Sequence, residues 1–191
     1  MEYVDGDTKD SMPLAKAAAM RALELDGSLA EAHTALGNYL NYYEWDRIRS
    51  EKEYRRAIEL NPNYATAHQW LGSDGLSQIR RFDEALVELR RAEELDPLSS
   101  IIGLNLGLTL FYAQRYDEAI AQFNRTLSLD PNFVYVHATL AWAFHAKGMY
   151  REAIAENRRT NDLSYDPVTT GYLAISLAKS GQREEAFNSI S

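Results

Sequence analysis

RYDEAIAQF, residues 115–123, is nearly the same phrase as RFDEALVEL at residues 81–89 and MYREAIAEN at 149–157. Phe82, Tyr116 and Tyr150 open the three copies at steps of 34 residues. In the first copy and its continuation, Phe82, Ala85, Leu86, Leu89 and Ala92 fall at spacings of three and four, which places them on one face of a helix. Asp83 and Glu84, like Asp117 and Glu118, sit in the first turn, where negative charge suits the helix dipole.

The phrase is one beat of a longer rhythm. Gly27, Pro62, Pro97, Pro131 and Pro167 punctuate the chain at intervals of 35, 35, 34 and 36. The small residues Ala15, Ser50, Ala85, Ala119, Ala153 and Ala186 follow at 35, 35, 34, 34 and 33. Proline disfavours helical geometry in the residue before it, so the helix carrying the 115–123 phrase should end near Asp130. The other half of each period, for example 65–78 or 100–113, has helical apolar spacing of its own. Connections are short, so successive helices run antiparallel. No stretch alternates at period two, and the chain reads as all-helical.

A fixed period of this size marks stacked repeats, in which each unit buries its apolar face against the next. The residues resemble the tetratricopeptide (TPR) repeat family. The repeat at 98–131 carries Leu106-Gly107, Leu110, Tyr116, Ala119, Phe123 and Pro131. The repeat at 28–62 carries Leu36-Gly37, Leu40, Tyr54, Ala57 and Pro62, with one extra residue near Trp45. The repeat at 63–97 has Leu71-Gly72, Phe82, Ala85, Leu89, Ala92 and Pro97 and is again one residue long; that at 132–166 has Leu140-Ala141, Phe144, Gly148, Tyr150 and Ala153. There Asn157 and Thr160 replace the usual aromatic and alanine, so tight packing is not expected. Residues 14–27 read as a half repeat and 167–191 as a truncated one with Leu173-Ala174, Gly181, Ala186 and Ile190, after a polar segment at 1–13. The resemblance implies a right-handed superhelical solenoid of antiparallel helix pairs. Neither end has the polar cap that terminal repeats usually carry, so the array reads as a piece of something longer, with self-association through uncapped ends. It is similar to arrays C-terminal to bacterial winged-helix transcriptional regulators or serine/threonine kinases.

Composition narrows the function. Cysteine is absent, which removes disulfides, thiolate metal sites and a cysteine nucleophile and fits a reducing, cytoplasmic setting. A net charge of −8 works against direct nucleic-acid binding, which needs a concentrated positive footprint. No apolar run reaches the length of a membrane span, and the opening MEYVDGDTKD is neither a signal nor a transit peptide.

His33, His68 and His137 occupy the same place in three repeats. Stacked helices lie roughly 8–10 Å apart, whereas metal ligands sit about 2 Å from one ion. Each histidine therefore reads as the replacement of a packed aromatic, and no metal or cofactor is expected. Neither a Ser–His–acid constellation nor a phosphate loop stands out, and Glu93-Glu94 and Glu184-Glu185 read as solvated faces, so the chain is not expected to be an enzyme. The arginine pairs Arg55-Arg56, Arg90-Arg91 and Arg158-Arg159 lie late in second helices with acidic neighbours, such as Glu51 before Arg55, and read as locally paired.

The first helices should line the concave surface where such solenoids bind. Their stripe runs Thr34, Asn38, Asn41 and Tyr42, then Gln69 and Ser73, then Ile101, Leu104, Leu108, Phe111 and Tyr112. It continues through Tyr135, Trp142 and His145 to Tyr172 and Ile175. The early part is polar, the middle apolar and aromatic. Either neighbouring helices cover that middle, or it is a ligand groove. The family includes modules that hold a carboxylate-ended chaperone tail with basic residues; Asn38 matches one clamp position, but Thr34, Gln69 and Ser73 do not continue it, so that specialisation is not expected. The expected function is a non-catalytic scaffold taking a protein or peptide segment in the groove, within a larger regulatory protein. The alternative is a domain that senses a small apolar or peptide ligand in a closed pocket around Phe111 and Trp142.

Overall fold

The computed structural model describes residues 8–190, which hold eleven α-helices and no strand. The chain divides into two compact units, residues 1–97 and 98–191. The first contains α1 (Thr8–Leu25), α2 (Ala30–Tyr42), α3 (Arg47–Leu60), α4 (Ala65–Trp70) and α5 (Phe82–Leu95). The second contains α6 (Ser100–Tyr112), α7 (Tyr116–Leu129), α8 (Val134–Ala146), α9 (Tyr150–Leu163), α10 (Pro167–Lys179) and α11 (Arg183–Asn188).

Of the polar segment expected at 1–13, residues 1–7 lie outside the described residues, while the helix expected from Leu14 already starts at Thr8. Pro13 therefore sits inside α1, where it forgoes one backbone hydrogen bond near the helix start. Leu14 and Leu25 of this helix are exposed, as are Phe187 and Ile190 at the other end.

In the second unit α6 touches α8 and α8 touches α10, while α7 packs on α6 and α8, and α9 on α8 and α10. First helices thus form one layer and second helices the other. Neighbouring first helices also touch one another directly, and the side of their layer turned away from the second helices is its inner face. The two layers meet through the repeated small and aromatic residues: Phe123, Ala119 and Ala153 are fully buried, and a Cβ on Gly107 would overlap the Phe123 ring. Asn157 and Thr160 are also buried, and Asn157 Oδ1 has no hydrogen-bond partner. The first unit follows the same plan, with Tyr54 buried against Leu71, Leu76 and Ala85.

One residue in each turn from a first helix to its second takes the left-handed conformation: Trp45 (φ 57°), Arg80 (64°), Gln114 (61°), Gly148 (74°) and Gly181 (90°). Such a residue closes the preceding helix, and glycine takes the conformation without the Cβ penalty. Gln114→Gly should therefore raise stability by about 0.5–1 kcal/mol, and Gly148→Ala should lower it although no atom crowds the added methyl. Urea midpoints at constant slope would check both signs.

The extra residue in each of the first two repeats is absorbed differently. In the first it lengthens the α2–α3 turn at residues 43–46. In the second it sits inside the helix: α4 passes into a π-helical segment, Leu71–Leu76, and then a 3₁₀ turn, Ser77–Ile79.

Candidate functional site

The inner face of the second unit is built from side chains that the helix pairs do not need. In α6, Ile102, Gly103, Leu106, Gly107, Thr109 and Leu110 are buried. Leu104, Leu108 and Phe111 are half-buried, and Ile101 and Tyr112 remain 49% and 52% exposed. In α8, Tyr135 is 71% exposed; Trp142 is half-buried and its ring lies 5.6 Å from that of Tyr172 in α10. Tyr172 and Ile175 are themselves 38% and 49% exposed. Phe111 is held by Tyr112 and Tyr116, each with its ring centroid 5.6 Å away. Exposed Tyr165 and Val168, which the periodic reading passed over, lie in and just after the loop that leads into α10. That loop is set by Asp166, whose carboxylate caps α10 by accepting the Val168 and Thr169 N–H groups; those bonds hold its pKa below the usual carboxylate range.

Below Tyr135 opens a cavity of about 420 Å³ lined by Val134, Tyr135, Ala138, Thr160, Ser164, Asp166 and Thr169. Neither Phe111 nor Trp142 lines it.

His145 Nδ1 lies 3.0 Å from Ser176 Oγ. Ser176 is fully buried, so a substrate has no approach to its oxygen, and the pair reads as a contact joining α8 to α10. Burial, helped by the Lys179 charge, keeps the His145 pKa below its ordinary value.

The inner face of the first unit is polar and already occupied with itself. Asn38 is half-buried, its Oδ1 accepting the Tyr54 hydroxyl at 2.6 Å. Thr34 is buried and returns its hydroxyl to the Ala30 carbonyl. Asn41 is buried with Oδ1 unpartnered. Gln69 and Ser73 are half-buried, and Ser73 Oγ lies within hydrogen-bonding distance of both the Gln69 carbonyl, at 2.9 Å, and the Asp74 carboxylate. Tyr42 is 44% exposed, meets the Trp70 ring edge-on at 6.2 Å, and donates its hydroxyl to Asp74. Burial, the bond to Asp74 and its charge push the Tyr42 hydroxyl well above the ordinary phenol range.

The three repeated histidines do more than replace an aromatic. Nδ1 of His33, His68 and His137 lies 2.6 Å from Oε2 of Glu53, Glu88 and Glu156, respectively. Nε2 reaches the carbonyl of Gly27 at 3.3 Å, of Pro62 at 3.0 Å and of Pro131 at 3.0 Å. Nδ1 is thus committed inside its own repeat and Nε2 to the last residue of the repeat before it, and no group of three or more potential metal ligands occurs among the described residues. The sequence held the signal: Gly103 takes the histidine place in the third repeat, and Gln122, 34 residues after Glu88, takes the glutamate place.

Arg55, Arg56 and Arg91 pair with acidic neighbours on their own helices as expected, whereas Arg158 reaches Glu185 in α11 and Arg159 reaches Asn132 in the turn before α8. Arg55 binds Glu51 at 2.7 Å, Arg56 binds Glu59 at 2.9 Å and Arg91 binds Glu94 at 3.0 Å, while Arg158 binds Glu185. Such exposed pairs contribute little to stability.

The geometry of these helix pairs has counterparts. The structure of PilF from Pseudomonas aeruginosa superposes with a TM-score of 0.82 at 23% identity, covering 95% of this chain and 82% of PilF. PilW, a widely conserved type IV pilus biogenesis factor, superposes with a TM-score of 0.87 at 18% identity, over 95% of this chain and 84% of PilW. YrrB, a TPR protein with an unusual peptide-binding site, gives 0.70 at 20% identity, over 90% and 88% of the two chains. Residues 107–148 match the family model for the TPR repeat. The matched residues run from the close approach of α6 and α7 to the left-handed turn after α8. No curated protein matches the chain. The fold is that of TPR proteins, and the inner face described above belongs to the first helices of its helix pairs. No helix among the described residues is long and apolar enough to cross a membrane.

Proposed function

We propose that this chain is a non-catalytic protein-interaction module that takes a peptide or protein segment against the inner face of its first helices. One observation carries the reading. Ile101, Tyr112, Tyr135, Tyr172 and Ile175 of the first helices α6, α8 and α10 stay between 38% and 71% exposed. Large exposed apolar residues gathered on one face mark interaction surfaces, and aromatic anchors dominate binding energy. Leu104, Leu108, Phe111, Trp142 and His145 form the half-covered floor beneath them. YrrB, similar in fold, is itself a peptide-binding TPR protein, which supports the reading without naming a partner.

Panning a displayed library of random 16-residue peptides against the whole chain would test this. Selected peptides should lose about tenfold in affinity on Tyr135→Ala and again on Tyr172→Ala, each equivalent to about 1.4 kcal/mol, with helical content unchanged. Selected peptides that bind both variants as tightly as the parent would refute the assignment.

A second reading, a small-ligand sensor, draws on the 420 Å³ cavity beside Tyr135, which is of ligand size. It differs from the pocket expected around Phe111 and Trp142. The resemblance to arrays in bacterial winged-helix regulators and serine/threonine kinases supports a role inside a larger regulatory protein, and the absence of cysteine fits the cytoplasm. Exposed Leu14, Leu25, Phe187 and Ile190 support self-association as a secondary property.

A further inference from the structure

The π-helical segment Leu71–Leu76 does something no other repeat does: it buries a carboxylate. Asp74 is 8% exposed. The equivalent residues of the other repeats, Tyr39, Thr109, Ala143 and Ser176, are buried too, but none carries a carboxylate. Short π-segments inside α-helices concentrate at functional positions.

Asp74 accepts hydrogen bonds from Tyr42 Oη and Ser73 Oγ, and from Gln78 Nε2 at 3.0 Å. All three partners are neutral, so none of them supplies a counter-charge. Buried charges are ordinarily balanced by a counter-charge, because desolvation without one is costly. The basic side chain joined to this network, Arg47, gives its guanidinium to the Gln78 carbonyl at 3.4 Å and not to the carboxylate. Beside the carboxylate stands the Tyr42 ring, 44% exposed and edge-on to Trp70. An aromatic face next to an unbalanced carboxylate is the environment a guanidinium or ammonium group favours, through the ring quadrupole and a charge-assisted hydrogen bond.

We propose that Asp74, Tyr42 and Trp70 form a site for a basic side chain, arginine or lysine, of a bound peptide. The inference rests on the interaction-module reading and adds the charge its ligand must bring. A chain of net charge −8 favours such a partner by long-range attraction as well.

The test titrates the full chain with acetyl-Gly-Ala-Arg-Ala-Gly-amide and with its citrulline counterpart, an uncharged near-isostere. The readout is the Trp70 indole ¹H–¹⁵N signal, assigned with Trp70→Phe. The arginine peptide should give a saturable shift and bind at least tenfold more tightly than the citrulline peptide, and Asp74→Asn should erase that preference. In the unmodified chain the preference should shrink in 1 M salt, a measurement that needs no variant to fold. A lysine peptide should behave like the arginine one. Equal affinity for arginine and citrulline, no saturable shift with either, or an unchanged preference in Asp74→Asn would each overturn the site. Library peptides that still depend on Tyr135 would leave the interaction module standing even where one of these outcomes overturns the site.

Discussion

Gly107→Leu should cost the protein about 3 kcal/mol and lower its melting temperature by roughly 6–12 °C. Gly107 faces the fully buried Phe123, and a Cβ on its backbone would already overlap that ring. Leucine adds three further carbons in the same direction. Neither helix can yield cheaply: Phe123 has no exposed side to turn to, and α7 is held by α8 as well as α6. The overlap should be relieved when the ring is removed. Phe123→Ala alone leaves a cavity worth about 3–5 kcal/mol, but Gly107→Leu with Phe123→Ala should lose clearly less than the two single losses added together. Strict additivity in urea denaturation would mean that α6 and α7 do not meet at this point. Asn38→Leu, at the next position of the first repeat, should cost only about 1 kcal/mol, the value of its lost bond to the Tyr54 hydroxyl.

The same contact explains why the fold was legible. The 34-residue recurrence of Tyr116, Ala119 and Phe123 fixes which face of each second helix is inward, and Leu106-Gly107 fixes the matching face of the first. The repeated packing residues could be read. What differs between repeats was harder. Gly37 to Arg47 and Gly72 to Phe82 both span ten residues where Gly107 to Tyr116 spans nine. Spacing alone cannot say whether the additional residue lengthens a turn, as it does near Trp45, or swells a helix, as it does at Leu71–Leu76. The difference lies in the packing of Leu71 and Leu76 around buried Tyr54, which holds both ends of the second segment inside the core.

For the candidate site, the apolar stripe of α6, α8 and α10 could be read because those residues are surplus to the packing pattern. The polar stripe of α2 and α4 could not be assigned a use, since Asn38, Thr34 and Ser73 can bond to their own scaffold as readily as to a ligand, and they do. The histidines show the same limit. Their recurrence was visible, but a residue half apolar and half polar can fill an aromatic's place or bridge two helices, and only the paired recurrence of Glu53, Glu88 and Glu156 decides for the bridge.

That bridge should make the second repeat more stable in mild acid than in mild base. Burial works against the His68 imidazolium, but the Glu88 carboxylate at 2.6 Å and the Pro62 carbonyl at 3.0 Å outweigh it and hold the pKa above the ordinary histidine value, with nearby Arg91 opposing weakly. A raised folded-state pKa means that the folded protein binds the proton more tightly than the unfolded chain. Its contribution is therefore complete below the unfolded value of about 6.5 and is lost as pH rises through the folded one. The structural reason is that imidazolium donates from both nitrogens, whereas neutral imidazole must turn one lone pair toward an acceptor that also has only lone pairs. Glu88→Gln should cost about 1.5–3 kcal/mol at pH 6, the range for a hydrogen bond to a charged group, and distinctly less at pH 8, where the wild type has already lost part of the bond. Urea denaturation of both proteins between pH 5.5 and 8.5 checks this. A difference that stayed constant, or grew toward high pH, would show that His68 is neutral throughout and that Glu88 serves only as an acceptor for one N–H.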